Sequence, residues 1–256
     1  MVPKVHNPTS ANDFRPISLL NRVLKIITKL LADRLQTKII PLVHTNQYGF
    51  IKTRTIQDCL AWAYEYIYPC QHSKREIVIL KLDFTKAFDT IEHNTIIQMM
   101  SHLGFGDKWL DWIQRILASG TSSILLNGVP GNHFHCRHGV RQGDPLSPLL
   151  FVLAADLLQC IINKGCRNGL FELPIPSYEL DQYPIIQYAD DTLLVMKASQ
   201  KELESIPERT LYLERTIGIL CTINWIEGQL QQVMPSPLES FRQQGPSLGW
   251  GVWLQD

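Results

Sequence analysis

The chain has 256 residues, 45% hydrophobic and 19% charged, with 24 Lys and Arg against 24 Asp and Glu. That length holds one large domain or two small ones around a buried core, and the composition excludes disorder throughout. Zero net charge excludes a uniformly basic nucleic-acid binder, but residues 1–60 carry nine basic against three acidic side chains and residues 171–256 five against twelve. The first of these segments could hold phosphates; a solvated helix face is the plainer source of such a run.

Residues 1–12 are polar and lack the apolar block of a secretory signal, so an intracellular protein of cytoplasm or nucleus is expected. Apolar residues Leu20, Leu24, Ile27, Leu31 and Leu35 fall on one stripe, predicting a helix over 19–39. A second helix is predicted from Thr55 to about Tyr68, with Ile56, Cys59, Leu60, Ala63 and Ile67 inward and Pro69 ending it. The β-branched run from Ile77 to Asp83 reads as a strand buried on both faces. Helical spacing over 94–102 and 108–118 is separated by Gly104-Phe105-Gly106. A hairpin of 121–126 and 132–136 is expected near Asn127-Gly128.

Asp144 suits an N-cap and Pro145 a first helical position, predicting a long buried helix to about Asn163. Its apolar stretch, 149–162, is broken by Asp156 and Gln159 and is shorter than the ~20 residues a membrane span needs. Strand, tight turn and strand follow across Ile185 to Met196, then a helix over about 200–217. Six cysteines without a CxxC pair predict reduced thiols rather than a disulfide framework. His133, His135, Cys136 and His138 crowd together, but strand alternation puts the first two on one face and the others opposite, which disfavours a zinc site.

Chemistry concentrates at Asp190 and Asp191, adjacent carboxylates between two apolar strands. Like charges about 4 Å apart repel by on the order of 4 kcal/mol at an effective dielectric of 20, so a third carboxylate requires a cation. Asp83, at the exit of another strand, is the candidate third. Oxygen-only ligation suits Mg²⁺, and such sites serve phosphoryl transfer with two metals ~3.5–4 Å apart. The alternative for each aspartate taken alone is structural: a surface turn, or a helix cap.

From about residue 3 to residue 197 these segments, in order, resemble the reverse transcriptases of LINE-type, non-LTR retrotransposons. The segment from Asp13-Phe14-Arg15-Pro16 to Leu19 is similar to the first fingers motif, and Gln47-Tyr48-Gly49-Phe50-Ile51 with Arg54 to the next. Lys81 to Asp89, Gly139 to Pro148, and Tyr188-Ala189-Asp190-Asp191 are similar to three successive palm motifs.

The resemblance implies an α+β right-hand polymerase core: helical fingers plus a palm with an antiparallel sheet, the thumb missing or degenerate. Fingers would occupy about 1–76 and palm about 77–227, with fingers insertions. It implies RNA-directed DNA synthesis with two Mg²⁺ or Mn²⁺ ions, an RNA template, a DNA primer and dNTPs, and no membrane. Asp83 and Asp190 would be the main metal ligands, Asp191 would complete the set, and Phe84 would add a backbone carbonyl. Phe88 would lie under the incoming sugar and exclude a 2′-hydroxyl; in isolation it reads as a core phenylalanine. Gln142 and Gly143 would lie against the nucleotide. Arg15 and Arg54 are triphosphate candidates because guanidinium forks onto phosphate oxygens, although Arg15 could instead pair with Asp13. Asp89 is expected to be structural.

The family's upstream endonuclease is expected to be absent, and Gly218 to Asn224 is at best a stretched echo of the motif that follows the palm. No lysine follows Lys201, and residues 228–256 read as a degenerate or out-of-frame tail. Reading the nucleotides in the other two frames tests that hypothesis; recovering no lysine-bearing, thumb-like sequence counts against it. Two rivals stand beside the polymerase: an inactive retroelement remnant that folds and binds nucleic acid, and an RNA-dependent RNA polymerase, which would want a 2′-hydroxyl acceptor where Phe88 stands.

Overall fold

The computed structural model describes residues 2–10, 13–15, 17–18, 20–74, 77–84, 86–123, 125–126, 129–169, 172–175, 184–198 and 221–226. The expected helix over about 200–217, the turn Asn127-Gly128 and the tail 228–256 lie outside them. A short ribbon of β1 (Val2–Pro3) and β2 (Phe14–Arg15) precedes α1 (Arg22–Gln36) and α2 (Ile56–His72). Next come β3 (Ile77–Phe84), α3 (Ala87–Thr90), α4 (His93–His102) and α5 (Asp107–Ala118). Four two-residue strands follow: β4 (Thr121–Ser122), β5 (Leu125–Leu126), β6 (Val129–Pro130) and β7 (Phe134–His135). The described chain ends with α6 (Ser147–Arg167), β8 (Ile185–Tyr188), β9 (Asp191–Lys197) and β10 (Cys221–Ile226).

β10, β3, β9 and β8 form, in that order, an antiparallel sheet with helices on both faces. Alternation along β3 sends Val78, Leu80, Leu82 and Phe84 into the main core with α6, while Ile77 and Ile79 pack with Tyr66 and Cys70 of α2. α6 is long and apolar enough to cross a membrane, but 78% of that stretch is buried inside the protein. It is the central core helix, packed against α4 and α1.

Three expectations shift. α1 buries Thr28, Leu31, Ala32 and Leu35, leaving Ile27 exposed, because the helix is apolar on two sides and the side nearer α6 wins. α2 continues past Pro69 to His72, and its buried residues are Cys59, Tyr66 and Cys70, whereas Leu60 is 64% exposed. Proline removes one backbone bond; packing of Tyr66 and Cys70 against the sheet, and Ser73 donating through N–H and Oγ to the Pro69 carbonyl, offset it. α6 starts at Ser147 with Pro148 in its first turn, and Asp144 instead accepts the Leu146 N–H at 3.0 Å.

Two short antiparallel ladders lie within 121–136, Thr121↔His135 with Ser122↔Phe134 and Leu125↔Pro130 with Leu126↔Val129. β10 was not expected as a strand; its pairing with β3 spans Cys221↔Phe84 to Ile226↔Ile79.

Candidate active site

Tyr188 pairs with Asp191 at the end of the β8–β9 hairpin, so Ala189 and Asp190 form a two-residue turn. Ala189 has φ 58°, a left-handed conformation that turns of this length demand and that an alanine adopts only when its surroundings hold it. Ala189 is buried while Asp190 and Asp191 are exposed, so the turn anchors its backbone and presents its carboxylates.

β3 runs beside β9, and the last paired residues at this end are Leu82 and Thr192. Asp83 and Asp191 are the next positions along the two strands, so the register brings the third predicted carboxylate's backbone to the same end of the sheet. The Asp83 side chain lies outside the described residues. Lys81 Nζ is 3.1 Å from Asp191 Oδ1, a partial countercharge for the pair. Among the described side chains no three of His, Cys, Asp or Glu gather as a metal site, those of residues 133–138 included.

Asp190 also lines a cleft of about 490 Å³ with Phe84, Phe88, Gln142 and Gly143, so five of the predicted residues, from three separated segments, share one cavity. Lys4, Phe50, Lys86, Asp89, Arg141, Ser147 and Pro148 complete it. Lys86, with φ 51°, turns the chain from β3 into α3. The segment carrying Gln142 is tied to α3: Val140 N–H donates to Phe88 O at 2.6 Å, and Gly139 has no room for a Cβ, which would sit 2.8 Å from Asp89 Cα. Asp89 Oδ1 accepts from Gln142 Nε2 at 3.2 Å, orienting the amide in the cleft. Gly143 has φ 100°, a backbone that only glycine adopts without strain.

Arg54 is not brought to the cleft. Its guanidinium donates to the carbonyls of His44 (2.5 Å), Gln47 (2.6 Å), Val43 (3.1 Å) and Ile40 (3.3 Å), which pins the 40–47 loop. Arg15 sits in β2, its side chain outside the described residues. Phe50 and Gln47, in the segment 47–51, and Lys86, in the segment 81–89, bear no local sign of the places they take here. Nothing local marks Lys4, whose place depends on its N–H donating to Asp13 O at 2.7 Å.

Residues 2–218 match the reverse transcriptase (RNA-dependent DNA polymerase) family. The chain belongs to that family. Its relatives include non-LTR retrotransposon proteins at distant similarity: the R2 Pol polyprotein of Popillia japonica, 28% identical over 76% of this chain and 26% of that protein; the transposon TX1 149 kDa protein of Xenopus laevis, 27% identical over 76% and 14%; and the RNA-directed DNA polymerase of the mobile element jockey of Drosophila melanogaster, 25% identical over 75% and 20%. The chain thus spans about a quarter or less of these relatives' lengths. In fold, it is similar to telomerase from Candida tropicalis, with a TM-score of 0.55 and 10% identity over 81% of this chain and 34% of that one.

Proposed function

We propose that the chain is the polymerase core of a LINE-type retrotransposon protein, with fingers over about 1–76 and palm over about 77–227, extending a primer 3′-hydroxyl with dNTPs on an RNA template. The observation that carries this is the common cleft, in which Asp190, Phe84, Phe88, Gln142 and Gly143 meet. Asp83, Asp190 and Asp191 would hold two Mg²⁺ or Mn²⁺ ions. Bound there, such ions neutralise the triphosphate and lower the pKa of the attacking hydroxyl.

The chain's own residues bind and orient. Lys86 and Lys4 offer ammonium groups to an anionic nucleotide entering the cleft. Phe88, held by its stack on Phe151, would set a bulky ring under the incoming sugar that accepts deoxyribose and clashes with a ribose 2′-hydroxyl. Gln142, steadied by Asp89, and Gly143 let the nucleotide approach the backbone closely.

Primer extension on an RNA template, with Asp190→Asn as the control, tests the reading. Incorporation by the unmodified protein and loss by about a hundred- to a thousandfold in the variant is expected, the scale of removing one preorganised group from a charge-stabilising site. Equal incorporation by both removes Asp190 from the site, and incorporation by neither favours the inactive remnant.

A further inference from the structure

Gln47 is fully buried, yet its carboxamide faces a backbone turn rather than solvent or another side chain. Its Oε1 accepts the Ala189 N–H at 3.0 Å and the Gly49 N–H at 2.9 Å, and its Nε2 donates to Ala189 O at 3.4 Å. One amide therefore holds both backbone polar groups of the residue preceding Asp190. Backbone bonds flank it: Tyr48 N–H to Gln187 O at 2.8 Å and Gln187 N–H to Asn46 O at 2.9 Å, a parallel bridge that extends the sheet beyond β8. Gly49 closes the contact, since a Cβ there would lie 2.2 Å from Ala189 N. The loop itself is anchored by Arg54, which grips Gln47 O, and by Asp156, which accepts the His44 N–H at 2.9 Å.

We propose that Gln47 is a positioning residue, which holds Ala189 in its left-handed conformation and thereby sets where the Asp190 carboxylate stands in the cleft. The proposal rests on the reading of Asp190 as a metal ligand. Without the amide, the N–H groups of Ala189 and Gly49 lose their acceptor, and the left-handed φ that the two-residue turn demands of Ala189 loses its side-chain anchor. The loop around Gln47 and the turn around Ala189 are 142 residues apart in sequence, so the placement of Asp190 depends on a distant segment that itself carries no carboxylate.

The test uses the whole chain and compares the unmodified protein with Gln47→Met, Gln47→Asn, Gln47→Glu and Asp190→Asn. Mn²⁺ affinity is read by electron paramagnetic resonance, and site-resolved hydrogen exchange reports on the Ala189 and Gly49 amides. Methionine keeps the length without the amide; asparagine keeps the amide but falls a methylene short, and it carries the comparison if the methionine variant does not fold. Both are expected to weaken Mn²⁺ binding by about tenfold with every carboxylate in place, the effect of losing a partner that orients a ligand, and to speed Ala189 exchange by about tenfold or more. Glutamate retains Oε1 and should recover most of the affinity.

Unchanged Mn²⁺ affinity in the methionine and asparagine variants, beside a loss in Asp190→Asn, overturns the proposal. If Asp190→Asn binds Mn²⁺ as the unmodified protein does, the metal reading fails instead, and exchange alone decides for Gln47. Slow Ala189 exchange in the variants then overturns it, and fast exchange supports it.

Discussion

The ring of Phe88 lies flat on that of Phe151, centroids 4.6 Å apart and planes 17° from parallel, while Phe50 meets Phe88 edge-on at 6.4 Å. The first contact is between a cleft residue and a fully buried residue of the central helix, so the position of the proposed sugar gate is set by the core. Phe88→Ala should admit ribonucleotides and reduce discrimination by at least about tenfold, roughly 1.4 kcal/mol of differential transition-state binding. Phe151→Leu should do so more weakly, at a stability cost of about 1 kcal/mol. The ratio of kcat/KM for dNTP and rNTP checks both; an unchanged ratio in Phe88→Ala removes the gate.

Lys81 and Asp191 are 44% and 69% exposed, so their ion pair contributes only about 0–1 kcal/mol to stability. Its consequence is for cations: an ammonium 3.1 Å from a carboxylate competes with any metal that carboxylate would hold. Lys81→Met is expected to tighten Mn²⁺ binding by about two- to fivefold, the equivalent of that pair energy, with a melting temperature little changed. A weaker affinity would mean that Lys81 orients Asp191 rather than competing for it.

Arg54 shows how sequence and structure divide the information. A guanidinium is as well suited to phosphate oxygens as to carbonyls, and nothing local says which it meets; here it meets four carbonyls of one loop. Losing that fork should cost about 2–4 kcal/mol in Arg54→Ala, and Arg54→Lys should recover little, because an ammonium cannot reach four acceptors in a plane. Urea midpoints of the two variants decide it; full recovery by lysine would show that charge alone suffices.

The same division runs through the fold. The β8–β9 turn, β3 and the segment 139–148 were legible because their chemistry is local: acidic residues between apolar strands, and glycine where backbone must approach or turn. The role of Gln47 was not, because its partner lies 142 residues away and an isolated glutamine carries no period. The orientation of α2 was hidden for a related reason. Its exposed face, with Ile56, Leu60, Tyr64 and Tyr68, is as apolar as its buried one, and only the sheet decides between them. β10 alternates Cys221, Ile223 and Trp225 with Thr222 and Asn224, a weak strand pattern that gains meaning from β3 alongside.

Asp156 offers a pH-dependent test of the core beneath that loop. It is 5% exposed on α6, and burial pushes its carboxyl up to about 6, against the pull of the His44 N–H and of Arg54. A folded value above the ordinary 3.8 means that the fold prefers the protonated acid. The stability this lends is complete below about 3.8 and is lost as pH rises through about 6. The full loss approaches about 3 kcal/mol, from the shift and 1.36 kcal/mol per unit. Asp156→Asn keeps an oxygen for the His44 N–H and cannot ionise, so its stability relative to the unmodified protein should climb by about 2–3 kcal/mol between pH 4 and pH 8. Any constant offset from the new amide N–H groups does not alter that slope. Parallel urea-midpoint curves for the two proteins across this range would place the Asp156 carboxylate in a wetter or better-paired setting than its burial implies.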